Sequence, residues 1–189
     1  MKIALLAKKG GVGKSTVSLL LWMALRQAGR DAVLVDWDAQ GTSTKALDLL
    51  GGQSPAPGAV VIYDTPPSLD HAATATAVRS ADLCLVVTTP SLADIWEAAD
   101  AVSFVESRRP ATARVLFNKV RKGTVLGKLM EESARLIPAP ALSVNLSERE
   151  CYKHAIAQGW KALDGSAREE ALELALAVLS LGWRSHQTT

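Results

Sequence analysis

The chain has 189 residues, 48% apolar and 5% aromatic, which fits one domain with a core mainly of Ala, Val and Leu. Its two cysteines, Cys84 and Cys151, lie far apart without metal-ligand spacing, which excludes a disulfide framework and points to a reducing cytoplasm. No run approaches the roughly 18 apolar residues of a membrane span and the opening IALLA is too short for a signal peptide, so a soluble intracellular protein is expected.

KIALLA reads as a first strand that runs into a glycine loop, and residues 15–28 read as a helix stopped by Gly29. AVLVD (32–36), AVVIYD (59–64) and LCLVVTT (83–89) are further strands. They are apolar throughout rather than alternating, as strands buried on both faces are. A helix over 91–106 follows, with Ser91 as its N-cap, then a strand at ARVLFN (113–118). The remaining pattern predicts a helix over 124–135, a short edge strand over 139–144, and a helix over 147–157 capped by Ser147. A last helix over 166–181 is expected to stop near Gly182. Strand and helix alternating at this spacing predict one α/β domain over residues 1–189. Its sheet is mainly parallel and twisted, with helices on both faces. Ligands in such sheets bind at the carboxyl ends of the strands. The residues placed there are Lys9 to Ser15, Asp36 to Gln40, Asp64 to Pro67, Pro90 and Asn118.

The loop reads KKGGVGKST, Lys8 to Thr16. The standard phosphate loop, G-x-x-x-x-G-K-[ST], has a glycine where Lys8 stands. Gly10, Gly11 and Gly13 let backbone N–H groups turn inward and approach phosphate. The helix that follows adds the positive end of its dipole. Nucleotide binding is therefore expected at Gly10, Gly11, Val12, Gly13, Lys14, Ser15 and Thr16, with Lys14 on the β- and γ-phosphates and Ser15 on Mg²⁺. Asp64, ending the strand in VVIYDTPP, is placed to reach the magnesium hydration shell. In VDWDAQG, Asp36 is a candidate for supporting the metal and Asp38 for orienting an attacking water. If the strand persists that far, both carboxylates point to one side and Trp37 to the other.

These stretches together resemble the ParA/MinD family of ATPases. KKGGVGKST is similar to that family's deviant loop K-G-G-x-x-K-[ST]. VDWDAQG is similar to its V-D-x-D-P-Q-G, with Ala39 in place of proline, and IYDTPPSL to its D-x-P-P segment. The match runs in order over roughly residues 1–160 and looks most like the short plasmid-partition ATPases of the ParF kind. The resemblance implies a Mg²⁺-dependent ATPase, weak without a partner, that binds ATP and ADP. It implies that Lys9 reaches across an ATP sandwich dimer to the partner's nucleotide, and that Asn118, in LFNKV, contacts adenine. It assigns Lys8 no role. The stretch between VDWDAQG and VVIYD is only about 17 residues long, shorter than in larger relatives, which leaves partner contacts there open.

Charge adds a further expectation. Residues 36–107 carry ten acidic and two basic side chains, and residues 108–161 eleven basic and four acidic. The contrast is either two solvated surfaces or a polyanion-binding face on the later half. With the resemblance, it implies a positioning protein, cytoplasmic and nucleoid-associated in its ATP form. Its ATP dimer, or a higher polymer, would bind DNA without sequence preference, and a ParB- or ParG-like adaptor would stimulate hydrolysis. The cargo would be a plasmid, a chromosome region or a protein assembly. The alternative is a membrane-cycling ATPase of the MinD kind. It needs a basic amphipathic terminal helix, whereas the last helix carries Glu169, Glu170 and Glu173, so stable membrane binding is not expected. A shared iron–sulfur cluster does not fit Cys84 and Cys151.

Overall fold

The computed structural model describes residues 1–54, 56–121, 132 and 134–185, and for 183–185 the backbone only. Its strands are β1 (Lys2–Leu6), β2 (Ala32–Asp36), β3 (Val60–Asp64), β4 (Leu83–Thr88) and β5 (Ala113–Phe117). They form one parallel sheet in the order β2-β3-β1-β4-β5. The helices are α1 (Lys14–Gln27), α2 (Thr42–Leu49), α3 (Ala72–Ser80), α4 (Leu92–Glu106), α5 (Glu150–Gln158) and α6 (Gly165–Ser185). The expected mainly parallel sheet with helices on both faces is what forms.

Alternation along the strands splits the core in two. Ile3, Leu5, Leu83, Leu85 and Leu116 face one side, where α1, α2, α5 and α6 cover them. Ala4, Leu6, Cys84, Val86, Val115 and Phe117 face the other, under α3 and α4. Both faces are dry, which is why the strands read as unbroken apolar runs. Cys84 sits inside the second layer, where burial pushes its thiol up to about 11, so it is an inert packing residue. The chain starts at the central strand, goes to β2 and β3 on one side, then crosses to β4 and β5 on the other. The loop after β1 therefore lies where the winding reverses, the place where open parallel sheets leave a crevice.

Several elements differ from the sequence expectation. The segment near 139–144 makes only an isolated bridge, Val115 to Ala141. Pro138 and Pro140 supply no N–H to a ladder. The last helix runs through Gly182 rather than stopping there. A Cβ at Gly182 would meet the Met1 side chain, so this glycine serves a close contact. The helices α2 and α3 were not legible: TSTKALDL and AATATAVRS are short and rich in threonine and alanine. The expected helix over 124–135 lies almost entirely outside the described residues.

Ser147 does not cap a helix; α5 begins at Glu150, and its N-cap residue, Arg149, makes no side-chain cap. Ser147 instead gives both its backbone N–H (2.9 Å) and its hydroxyl (2.7 Å) to Glu170 of α6. Tyr152 Oη (2.7 Å) and Arg149 Nη2 (2.8 Å) donate to the same carboxylate. Glu170 is only 9% exposed. Burial alone would push its carboxyl up, but the bonds from Arg149, Ser147 and Tyr152 outweigh that and hold it at about 2. An unfolded glutamate titrates near 4.3. Because the folded value is the lower one, the stabilisation is complete above about pH 4.5 and is lost as pH falls toward 2. Acid titration of wild-type stability is expected to show a loss on the order of 3 kcal/mol from this group. Glu170→Gln is expected to be less stable at neutral pH and to lack that part of the acid limb, as urea unfolding across pH would show.

Candidate functional site

The loop between β1 and α1 forms the floor of a cavity of about 280 Å³ that opens beside Asp38, Gln40 and Pro67. Gly11 (φ 92°) and Gly13 (φ 89°) hold left-handed backbone that other residues rarely adopt. No side chain caps the first turn of α1 and no acidic residue stands in it. Its N–H groups and positive dipole end thus face the cavity, which suits an anion.

Beneath this floor lies a buried ion pair. Lys14 Nζ is 2.9 Å from Asp64 Oδ1, with the two side chains 6% and 0% exposed. Lys14 also donates to the Thr65 carbonyl. The other oxygen of Asp64 accepts from Ser43 Oγ of α2 at 2.7 Å, and Thr65 Oγ1 donates to the Leu5 carbonyl at 2.7 Å. The expected phosphate lysine and the expected metal-side carboxylate are therefore brought together, each serving as the other's partner.

The two aspartates of VDWDAQG part company. The strand ends at Asp36, so its alternation does not extend to Asp38. Asp36 Oδ1 accepts from Asp38 N (3.0 Å), and Oδ2 accepts from Thr44 N (2.9 Å) and Thr44 Oγ1 (3.2 Å). Both oxygens thus shape the turn and hold the start of α2. Asp36 is not among the residues lining the cavity, whereas Asp38 is, with Oδ1 accepting from Gln40 N at 3.0 Å. Trp37 stacks on Tyr63, ring centroids 4.7 Å apart, and is a packing residue.

The two lysines before the glycines are both engaged by α4. Lys9, which lines the cavity, pairs with Asp94. Lys8 forks between Glu97 (3.0 Å) and Asp100 (2.6 Å), and these bonds, Asp100's first, push its amine up to about 12. Asp94 feels burial raising its carboxyl, but hydrogen bonds from Lys9 and Thr89 win and hold it low. This contact gives Lys8 a place that the sequence did not.

At the other end of the loop, Asn118 Nδ2 donates to the Val12 carbonyl at 2.8 Å, and Asn118 is only 4% exposed. Its neighbour Lys119 (φ 55°) donates from Nζ to the Gly11 carbonyl at 2.6 Å. The end of β5 thus grips the loop with adjacent side chains. Sequence reasoning stopped at the asparagine; Lys119 was the next letter in LFNKV. A second cavity, about 130 Å³, lies here between Gly13, Thr16 and Asn118 on one side and Ser147, Arg149, Tyr152 and Lys153 on the other. Gly13 and Thr16 line both cavities.

The basic stretch is less free than its count implies. Arg149 pairs with Glu170 and Arg121 with Glu148, while Arg109 donates to the Ala81 carbonyl and Lys119 to the loop. Arg108, Arg135, Lys153 and Lys161 are exposed.

Residues 3–161 match the family described as the CobQ/CobB/MinD/ParA nucleotide binding domain. The chain belongs to that family. It is similar to the maintenance of carboxysome distribution protein A of Halothiobacillus neapolitanus, 26% identical over 185 residues and covering 85% of each chain. In fold it is similar to the cell division protein MinD of Aquifex aeolicus, with a TM-score of 0.77, 19% identity, and 95% and 96% of the two chains covered. The septum site-determining protein MinD of Pyrococcus horikoshii, complexed with Mg-ADP, superposes at a TM-score of 0.74 with 17% identity, covering 94% and 95%.

The geometry makes one position decisive. A Cβ on Gly13 would overlap Asn118 Nδ2, a side chain fixed in the core, and φ is left-handed there. Gly13→Ala is expected to lose about 1–3 kcal/mol of stability in urea unfolding. It is also expected to abolish nucleotide binding in calorimetry, because the loop must move off Asn118.

Proposed function

We propose that this chain is a positioning ATPase that binds ATP with Mg²⁺ and works as a nucleotide-dependent dimer. The observation that carries the reading is the pair of cavities sharing Gly13 and Thr16. One ligand fits both: phosphates on the N–H groups of Gly10 to Thr16, and a nucleoside toward Asn118. With Nδ2 of Asn118 committed to Val12, the amide offers its oxygen, an acceptor that suits the exocyclic amine of adenine.

The donor set fits magnesium. The Ser15 hydroxyl and the Asp64 carboxylate would hold it, and an ion that keeps several waters needs no larger cage. Among the described residues no group of three or more His, Cys, Asp or Glu side chains is gathered for a metal. Mg²⁺ would screen the phosphate charge. Lys14 would turn from Asp64 to the β- and γ-phosphates. Asp38, at the cavity wall, would orient the attacking water. Lys9 would cross to the nucleotide of a second copy, leaving Asp94. Asp94 would keep the Thr89 hydroxyl as a donor when Lys9 leaves. A lysine supplied in trans would tie charge stabilisation of the transition state to dimerisation.

The cargo is best read from the relative: a protein whose name is maintenance of carboxysome distribution favours a large protein assembly over a plasmid. The track would be DNA, bound without sequence preference by exposed arginines and lysines such as Arg108 and Lys161, with an adaptor protein stimulating hydrolysis.

Three outcomes test this. Lys9→Ala is expected to bind ATP analogue as the wild type does but to lower hydrolysis on the order of 10³-fold. Light scattering with a slowly hydrolysed analogue is expected to show a wild-type dimer; a monomer at all analogue concentrations rejects the reading. The ATP form is expected to bind mixed-sequence duplex DNA with an affinity that falls roughly 40-fold between 50 and 200 mM salt, for about three phosphate contacts. A salt-independent affinity removes DNA as the track.

A further inference from the structure

The last helix reaches the site from behind. Glu170 of α6 accepts from Ser147 N–H, Ser147 Oγ, Tyr152 Oη and Arg149. Between the isolated bridge at Ser147 and the start of α5 at Glu150 the chain has no regular structure. The bridge itself places Ser147, through Val120 N–H to the Leu146 carbonyl and Glu148 N–H to the Val120 carbonyl, both 3.0 Å. From there into α5, which starts without a side-chain cap, the buried carboxylate ties Ser147, Arg149 and Tyr152 together. The same residues, Ser147, Arg149 and Tyr152, form the wall of the second cavity opposite Gly13 and Thr16.

We propose that Glu170 is a positioning residue for the nucleoside half of the ligand, acting through Ser147, Arg149 and Tyr152. This rests on the nucleotide reading of the site. The physical reason is preorganisation. A cavity wall built from irregular backbone costs entropy to order when a ligand arrives, unless something orders it beforehand. A buried carboxylate that accepts from Ser147, Arg149 and Tyr152 does that, and charged hydrogen bonds in a dry setting are the strong ones. The phosphate loop is held by Gly11 and Gly13 geometry and by Asn118 and Lys119. The donors Ser147, Arg149 and Tyr152 all stand on the far wall of the second cavity, so a change at Glu170 acts first on that half.

The test compares a ligand that fills both cavities with one that fills the first. Affinities of the full chain for ADP and for inorganic pyrophosphate, each with Mg²⁺, are measured by calorimetry for the wild type and Glu170→Gln. Glu170→Gln is expected to weaken ADP about tenfold and to leave pyrophosphate within twofold. Equal weakening of both ligands, or no change in either, overturns the proposal. If Glu170→Gln fails to fold, Tyr152→Phe takes its place. It keeps the ring in the wall and removes only the hydroxyl that reaches Glu170. The same split is expected there, about threefold on ADP, and its absence is equally fatal. A wild type that binds neither ligand rejects the nucleotide reading itself, and this inference with it. A wild type that binds both, with no split in the variants, rejects this inference alone.

Discussion

The site depends on a single buried ion pair. Lys14 and Asp64 lie at the carboxyl edge of the sheet with almost no exposure. Two charges withdrawn from water are costly unless each finds a full set of partners. Here the set comes from four segments: the start of α1 gives Lys14, the end of β3 gives Asp64, the next residue gives the Thr65 carbonyl, and α2 gives the Ser43 hydroxyl. Satisfying the pair therefore fixes the phosphate loop, the end of β3 and the first turn of α2 relative to one another. Asp36 fastens the same helix from the other side through Thr44. The pair also makes ligand binding an exchange rather than an addition. On the proposed function, a phosphate that took Lys14 would leave Asp64 without its cation, and a magnesium ion would be the natural replacement. The two ligands then favour each other, because neither is fully served while the original pair holds.

The second set of pairs works on a different energy scale. Lys8 meets Glu97 and Asp100 at the surface, where water and salt compete with each bond, and Lys9 meets the partly buried Asp94. Such contacts add little to folding, but they set where the lysines rest. Lys8 has two acceptors on α4, Lys9 one. The lysine with the proposed task in a partner subunit is thus the one with the lesser hold. Lys8 keeps the entry of the loop against α4 while its neighbour is free to leave, and this is a physical reason for two adjacent lysines where one serves the phosphates.

How much of this was legible follows from what each signal depends on. The strands were legible because burial on both faces writes itself as unbroken apolar runs such as LCLVV. GKST and its position after a strand located the loop, since backbone geometry there demands glycine. The helices α2 and α3 were not legible, because their apolar content is small and their stability comes from contacts such as Asp36 with Thr44. Ser147 followed local rules for a helix cap, yet a carboxylate far along the chain offered its hydroxyl and its N–H a better partner. The turn-shaping bonds of Asp36 were not legible for a related reason: a D-x-D spacing says nothing about which carboxylate a later N–H will claim. Gly182 read as a stop only because its real neighbour, Met1, lies at the other end of the sequence.

Charge shows the same limit and ends in a functional point. The surplus of basic residues after position 107 is a sum over side chains with different employments. Arg149 and Lys119 are occupied in building the nucleotide site, Arg121 faces Glu148 and Arg109 holds the end of α3. A polyanion surface must be made from those that remain exposed. The divided use is itself coherent: one group of cations supports the small anionic ligand and another is left for a large one. Because the first group is hydrogen-bonded to backbone carbonyls and a buried carboxylate, salt that strips the surface of a polyanion leaves the nucleotide site intact. On the proposed function, release from DNA and retention of nucleotide would therefore be separable.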